Sequence, residues 1–286
     1  MKKLICLAMA LALLGIAGCS GELKPDKPRK YLRLDGATAN IPLAVGLYRA
    51  YYGLSQEEAE ELARFSKSSQ SYLNFLEGGA DLLLVSKADT GTQEVIDQSG
   101  IQLEYIPLRR DALCFIVNEG NPVDGLTDAQ IKGIYQGKIT DWGELNGAGG
   151  RILAFQRNED SGSQAMMRRL VMDGLEMAEP LWVHNSMEVL VGEIAEYDNA
   201  GCAIGYTTYY FADEMYSLPD VKFLKINGIA PTEQSIADGT YPYLNENNIV
   251  IRADEAEDSE VRKAVAWLLS DEGKKLMESL NYIPVK

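Results

Sequence analysis

The stretch Arg157-Asn158-Glu159-Asp160-Ser161-Gly162-Ser163 combines a guanidinium, two hydroxyls and a candidate helix start. An apolar run from Ile152 to Phe155 precedes it, and a helical pattern from Gln164 to Val171 follows it. The first turn of a helix has unpaired N–H donors and a partial positive charge, which favour a tetrahedral anion. The stretch therefore predicts part of an anion-binding site. An ordinary capped helix beside a surface arginine is the alternative, because serine and glycine are common N-caps.

Two further stretches have the same character. Thr38-Ala39 precedes a helical pattern from Ile41 to Tyr52, so Thr38 is expected to cap that helix. Ser68-Ser69 likewise precedes a helical pattern from Gln70 to Leu76. Ligands of open α/β sheets bind at the carboxyl ends of strands, where helix N-termini point. If the three stretches converge there, their hydroxyls, their N–H groups and one arginine form a cage for an oxyanion.

Strand and helix patterns alternate along the chain, which predicts an α/β protein with mostly parallel sheets. The continuous apolar run from Asp81 to Val85 is typical of a parallel strand that is covered on both faces. Separate strands are predicted over Leu103–Pro107 and Ala112–Val117, and one long helical region over Ser259–Leu280. A chain of 286 residues is long enough for one large domain or two medium ones.

The N-terminus has the pattern of a secretory signal. A basic start is followed by an apolar run from Leu4 to Ile16, which is too short to span a membrane. Cys19 directly follows an Ala-Gly pair, which is similar to a bacterial lipobox. This similarity implies cleavage of residues 1–18, a lipid on the Cys19 sulfur and a tether over residues 19–30. An ordinary signal peptide with a cysteine at its cleavage site is the alternative.

The chain is acidic, with a formal net charge of −15 that becomes −17 when residues 1–18 leave with their two lysines. This balance argues against nucleic-acid binding and against electrostatic docking on anionic lipid. An anion must then be captured locally, by donors that are aimed at it.

Little in the sequence points to catalysis or to a metal. The only histidine, His184, lies in a predicted loop and is expected to be structural or solvent-facing, so Ser-His-Asp chemistry lacks its general base. The chain contains no G-x-S-x-G or H-E-x-x-H motif and no cysteine–histidine metal spacing. Cys114 and Cys202 lie in apolar runs and are expected to be buried thiols, with a disulfide between them as the alternative. We therefore expect a binding protein without catalytic residues, metal or cofactor.

The middle of the chain carries a longer motif, made of Asn121-Pro122-Val123, Leu126-Thr127 and Gly137-Lys138-Ile139-Thr140-Asp141-Trp142. It is similar to the NPV…LT…GKITNW signature of the substrate-binding lipoproteins of phosphate ABC transporters. Three further stretches also match that family: Gly205-Tyr206, Asp238–Pro242 and Gly273–Val285. The chain thus resembles this family over nearly all of its length after the signal peptide.

The resemblance implies a two-lobed type II periplasmic-binding-protein fold, in which each lobe is a mostly parallel sheet flanked by helices and the ligand binds in the cleft. We expect lobe 1 to comprise residues 31–111 and 222–286, and lobe 2 to comprise residues 112–221. The lobes would close around inorganic phosphate, which an ABC permease would then receive for import. The protein would be a monomer, lipid-anchored on the extracytoplasmic face of the cell membrane.

The resemblance also implies phosphate ligands by position. These are the Thr38 hydroxyl, the Ala39 N–H, Ser68, Arg157, Ser161, Gly162 and Ser163. Ser86 matches a position at which some members have an aspartate that accepts a proton from hydrogen phosphate. Such an acceptor distinguishes phosphate from sulfate, which has no proton to donate.

The serine at position 86 leaves the proton acceptor open. The Ser86 hydroxyl can accept, and Asp89, Glu159 or Asp160 could substitute for the missing aspartate. Glu159 and Asp160 could instead orient Arg157 or cap the following helix. The alternative functions are a binder or sensor of another oxyanion, such as sulfate, on the same fold, and an extracellular phosphate-ester hydrolase.

Overall fold

In the computed structural model, which describes residues 30–145, 147–196 and 202–285, strands alternate with helices along the chain. The strands are β1 (Leu34–Gly36), β2 (Leu82–Ser86), β3 (Leu103–Asn118), β4 (Gly125–Leu126), β5 (Leu153–Ala154), β6 (Gln156–Arg157), β7 (Val183–His184), β8 (Ala203–Thr208), β9 (Val221–Phe223), β10 (Lys225–Ile226), β11 (Leu244–Arg252) and β12 (Ile283–Pro284). The α-helices are α1 (Ile41–Tyr52), α2 (Gln56–Leu62), α3 (Ser68–Leu76), α4 (Thr90–Ser99), α5 (Asp128–Tyr135), α6 (Gly162–Met166), α7 (Met187–Glu196), α8 (Glu233–Ala237), α9 (Glu260–Leu269) and α10 (Asp271–Ser279). Short 3₁₀ turns cover Thr38–Asn40 and Trp142–Leu145, and π-helical turns cover Met167–Met172 and Phe211–Met215.

The predicted signal peptide over residues 1–18, Cys19 and all of the predicted tether except Lys30 lie outside the described residues. Across the residues that are described, no helix combines the length and the apolar character needed to cross a bilayer.

The central sheet has the strand order β1-β2-β11-β3-β8-β5, and β9 and β12 also pair with β3. β1 pairs with β2 and β5 with β8 in parallel, as do the short pairs β4–β10 and β6–β7. In contrast, β3 and β11 pair antiparallel with their neighbours. The sequence predicted mostly parallel strands, and parallel pairing occurs at strands such as β1 and β2, which are followed by helical segments. The two longest strands, β3 and β11, are instead antiparallel to their neighbours.

β3 joins the two strands that were predicted over Leu103–Pro107 and Ala112–Val117 into one. Its first part pairs with β11 and its last part with β8 and β9. The charged residues in its middle interrupted the apolar pattern, but Arg109 and Asp111 form a buried ion pair with Nη1 and Oδ2 3.1 Å apart. Because their charges are paired inside the fold, the strand continues through them.

The long helical region predicted over Ser259–Leu280 is two helices, α9 and α10. Ser270 ends the first helix and caps the second, and its Oγ accepts a hydrogen bond from the Gly273 N–H at 3.4 Å. An N-cap residue has extended rather than helical dihedrals, so the chain bends there. The boundary is readable in the sequence, because a serine followed by two acidic residues favours a helix start.

Each half of the sheet is covered on both faces by apolar clusters. Around β1 and β2, one cluster includes Leu43, Leu47 and Tyr48, and another includes Tyr72 and Phe75. We call this region the first half. Around the last part of β3 and around β5 and β8, one cluster is centred on Phe115 and Tyr206 and another on Phe155 and Ile194. We call this region the second half.

The segment between β9 and β11 packs with the second half of the sheet. Five of its apolar residues belong to the cluster around Phe115 and Tyr206: Leu224, Ile226, Ile236, Tyr241 and Tyr243. Cys114 lies in the same cluster, and both it and Cys202 are free thiols. Burial raises the pKa of the Cys114 thiol, which suits an inert core residue.

Candidate anion-binding site

A cavity of about 140 Å³ lies where the carboxyl ends of β1, β2 and β6 meet the N-termini of three helical segments. All of the binding residues predicted from the sequence line it: Thr38, Ala39, Ser68, Ser86, Arg157, Ser161, Gly162 and Ser163. Cavities for drug-sized ligands are about 300–1,000 Å³, and liquid water takes about 30 Å³ per molecule. This volume therefore suits a small ion rather than a nucleotide.

The first loop turns sharply after β1 at Gly36, which has a φ of 150°. A Cβ at this position would lie 2.0 Å from the main-chain oxygen of Leu84 in β2, so only glycine fits. The next N–H, of Ala37, donates to the same oxygen at 3.1 Å. This close approach of β1 and β2 sends the chain directly into the 3₁₀ turn over Thr38–Asn40, whose first N–H groups have no intrahelical partner.

The prediction that Thr38 caps the first helix is wrong. Asn40 occupies the N-cap position of α1, and no side chain caps either that helix or the preceding turn. The physical reason is the 3₁₀ turn, which places Thr38 inside helical structure rather than before it. The Thr38 hydroxyl is exposed and lines the cavity, so it is not engaged as a cap.

The second loop is held by Asp35, a buried residue of β1. Its Oδ1 accepts from the N–H groups of Gly36 and Ser66, both at 2.7 Å, and its Oδ2 accepts from the Ser66 hydroxyl at 2.6 Å. One carboxylate thus ties the first loop to the second. Lys67 follows with a φ of 76°, and Ser68 begins α3 at the edge of the cavity.

Arg157 brings a buried positive charge to the cavity, with 5% of its surface exposed. Its Nε donates to the main-chain oxygen of His184 at 3.0 Å, and its Nη1 donates to the Ser163 hydroxyl at 3.4 Å. Burial lowers the pKa of the Arg157 guanidinium from its ordinary value. It forms no ion pair within the part of the chain that the structure describes. A bound anion would supply that missing negative charge.

The third loop begins α6 beside this arginine. Ser161 caps the helix, because its Oγ accepts from the Gln164 N–H at 3.2 Å. Gly162 lies against the second loop, and a Cβ there would be 2.4 Å from the Ser68 Oγ and 3.3 Å from the Ser68 Cβ. The N-termini of α3 and α6 therefore meet across the cavity, one from each half of the sheet, and both present free N–H groups to it.

Ser86 ends β2 in the cavity wall, and its Oγ accepts from the Asn245 amide at 2.7 Å. The other acceptors considered for a phosphate proton do not line the cavity. Asp89 caps α4 by accepting from the Thr92 N–H at 2.8 Å, and Asp160 is exposed. Glu159 accepts from Arg168 Nε at 3.0 Å, so it orients Arg168 rather than Arg157.

His184 lies in β7 rather than in the predicted loop, and it is buried rather than solvent-facing. Its Nε2 lies 2.9 Å from Glu193 Oε2. The sequence did not indicate that its main-chain oxygen holds Arg157, because β6 and β7 become neighbours only in the fold.

Lys67 was also missed. Its Nζ donates to the main-chain oxygen of Asn185 at 3.2 Å, from the first half to the second. No group of residues suited to a metal ion occurs among those described.

The sequence matches the family model of the PBP superfamily domain over residues 25–272. The chain belongs to this superfamily. The phosphate-binding protein PstS of Bacillus subtilis (strain 168) is 26% identical over 256 residues, which are 84% of this chain and 80% of that protein. PstS of Borreliella burgdorferi is 21% identical over 290 residues, which cover 100% of both chains.

Among solved structures, an ABC-type phosphate transport receptor from Vibrio cholerae is 25% identical to this member of the superfamily. The TM-score is 0.69, and the match covers 88% of this chain and 99% of that one. The predicted two-lobed type II fold is therefore confirmed. These relatives are a phosphate-binding protein and a transport receptor, so the prediction of a protein that is not an enzyme is confirmed as well.

Proposed function

We propose that the chain binds inorganic phosphate in this cavity and delivers it to an ABC permease for import. The observation that carries the proposal is Arg157, a buried guanidinium without a carboxylate partner among the described residues. It faces a cavity of small-ion size, into which two helix N-termini present free N–H groups. The names of the related proteins, phosphate-binding protein and phosphate transport receptor, support phosphate as the anion.

The proposed mechanism is closure of the two halves around the ligand. Thr38, Ala39 and Ser68 lie on the first half, whereas Arg157 and the Ser161–Ser163 loop lie on the second. An anion that contacts both halves stabilises the closed state more than the open one, which is the requirement for a ligand-driven shift. Because apolar residues up to Leu244 pack with the second half, we propose that the chain returns to lobe 1 after Leu244, within β11, rather than at residue 222.

The proposal includes an extracytoplasmic location and a lipid anchor. It rests on the sequence pattern up to Cys19 and on relatives that are transport receptors. Labelling of cells with a radioactive fatty acid should mark the wild-type protein and leave Cys19→Ala unmarked. Equal labelling of the two would refute the anchor. The mature protein is proposed to act as a monomer.

A second candidate is a binder or sensor of another oxyanion, such as sulfate. The observation that favours it is Ser86, whose hydroxyl already accepts from Asn245, at the position where an aspartate would select a protonated anion. The hydrolase alternative has no comparable support, because His184 bonds to Glu193 and does not line the cavity.

Calorimetric titration with phosphate, arsenate and sulfate tests the proposal. We expect wild-type protein to bind phosphate, and Arg157→Ala to weaken binding by about 1.5–3 kcal/mol, the usual contribution of hydrogen bonds to a charged group. Arg168→Ala is the matched control, because Arg168 pairs with Glu159 and does not line the cavity. Absence of a binding heat with phosphate would refute the proposal, and a binding heat with sulfate alone would favour the second candidate.

A further inference from the structure

Asp111 is a cavity residue that the sequence did not single out. It lies in the middle of β3, where the strand passes from the first half to the second, and it is 2% exposed. The acidic residues that line the cavity are Asp111 and Glu188, and Glu188 is exposed. Asp111 is therefore the carboxylate that the cavity wall holds away from solvent.

Hydrogen bonds fix the orientation of this carboxylate. Its Oδ1 accepts from the N–H groups of Ala112 and Tyr210 at 2.8 and 3.2 Å. Its Oδ2 accepts from Arg109 Nη1 at 3.1 Å. A carboxylate can only accept, and its two oxygens offer about four lone-pair positions. Three donors leave one acceptor position on Oδ2 without a partner among the described residues.

An independent observation concerns another residue that lines the cavity. Thr208, at the end of β8, also lines the cavity and is 7% exposed. Its hydroxyl is fully buried and has no hydrogen-bond partner among the described residues. Thr208 pairs with Leu113 in the sheet, two residues along β3 from Asp111. Buried hydroxyls are nearly always bonded, so a polar group is expected opposite this one.

We infer that Asp111, and not Ser86, accepts the proton of the bound anion, while the Thr208 hydroxyl donates to one of its oxygens. The inference rests on the proposed function and names the residue that selects the anion. Hydrogen phosphate carries a P–O–H group that can donate to Asp111. Sulfate has no such proton, so its oxygen would face the carboxylate with lone pair against lone pair. The wild-type protein should accordingly prefer phosphate and arsenate to sulfate.

The test is the ratio of the sulfate to the phosphate dissociation constant, measured by calorimetry. In Asp111→Asn an amide donor replaces the acceptor, so sulfate should bind better, phosphate worse, and the ratio should fall by about tenfold or more. Because this change leaves Arg109 without its carboxylate, the neutral pair Arg109→Gln/Asp111→Asn is measured in parallel. Asp160→Asn removes an exposed carboxylate that does not line the cavity and serves as the control, with an unchanged ratio expected.

Ser86→Ala and Thr208→Val complete the test. Ser86→Ala should leave the ratio unchanged, whereas Thr208→Val should weaken both anions equally, because its hydroxyl donates to an oxygen that both possess. The inference would be overturned if the ratio of dissociation constants were unchanged in the Asp111 variants, or if it fell in Ser86→Ala. If Thr208→Val bound both anions with wild-type affinity, the proposed role of the Thr208 hydroxyl would be refuted. Failure of the wild-type protein to bind phosphate would instead refute the proposed function.

Discussion

The two sides of the cavity are built in different ways. The first side, Gly36–Ala39 with Ser68, offers only neutral dipoles, and its shape follows from the contact of Gly36 with the Leu84 oxygen and from the bonds of Asp35. The second side, Arg157–Ser163, offers a full positive charge, held at its Nε by a main-chain oxygen. Side chains supply the charge on one side, and backbone geometry supplies the shape on the other.

This difference would allow a protein with a net charge of −15 to hold the proposed anion. Dipoles from N–H groups and hydroxyls act only at short range, so they favour an anion inside the cavity without changing the charge of the protein. One buried guanidinium then adds the long-range attraction. If the two sides differ in this way, substitutions on the first side should lower the free energy of unfolding. Substitutions on the second side should instead raise the dissociation constant of the anion.

The largest effect is expected from Gly36→Ala. The substitution forces a residue with a Cβ into a φ of 150° and sets that Cβ 2.0 Å from the Leu84 oxygen. Backbone strain of this kind costs about 1–3 kcal/mol, and overpacking costs a similar amount, so the free energy of unfolding should fall by more than about 3 kcal/mol. Urea denaturation of the ligand-free protein measures it.

Gly53→Ala is the matched control for that variant. Gly53 also has a positive φ, 71°, but a Cβ there would meet nothing within 4 Å. It should therefore cost only the backbone strain, about 1–2 kcal/mol. Equal losses in the two variants would mean that the contact with Leu84 does not shape the first side.

Much of the site could be predicted because its signals are local. Ser68 and Ser161 mark helix starts by residue type and position, and an arginine precedes the second of them by four residues. The alternation of strands and helices then places such starts at one edge of the sheet. The fold class follows from the same local patterns.

The remainder depends on contacts between residues far apart in the sequence. β3 was predicted as two strands because Arg109 and Asp111 interrupt its apolar pattern. The acceptor of the Arg109 Nε, the Asn40 Oδ1, lies 69 positions away in the sequence. The cavity position of Asp111 was hidden for the same reason. Lys67 was missed because its partner, the Asn185 oxygen, lies 118 positions away. Local periodicity carries no information about such pairs.

Gly162→Ala should have an intermediate effect, because it acts where the two sides meet. The added Cβ would lie 2.4 Å from the Ser68 Oγ, so the hydroxyl must turn away or the two helix starts must separate. Overpacking of this kind costs about 1–3 kcal/mol. That cost should appear in the phosphate dissociation constant, measured by calorimetry, and hardly at all in the unfolding of the ligand-free protein.

A double-mutant cycle isolates the cause of that loss. In a Ser68→Ala background the closest clashing atom is absent, so Gly162→Ala should cost less there than in the wild-type protein. Strictly additive losses would show that the two loops do not press on each other. Gly162 would then not mark the contact between the two sides of the cavity.

The smallest effect is expected from Lys67→Met. Lys67 belongs to the first side by position, but it carries a charge and donates to the Asn185 oxygen on the second half, so it is the exception to the comparison. Loss of one partly exposed hydrogen bond should weaken phosphate binding by about 1 kcal/mol, and this loss should remain at high salt, which screens general charge attraction but not a direct hydrogen bond. Calorimetry at low and high salt measures both quantities.

Lys87→Met provides the control, because Lys87 is an exposed lysine that follows Ser86 but does not line the cavity. If Lys67 acts through its bond across the cavity, only Lys67→Met should lower the affinity, and the loss should persist at high salt. If both variants weaken binding alike and salt abolishes the difference from wild type, Lys67 contributes only general attraction. The first side would then contact the anion through neutral groups alone, and the difference between the two sides would be complete.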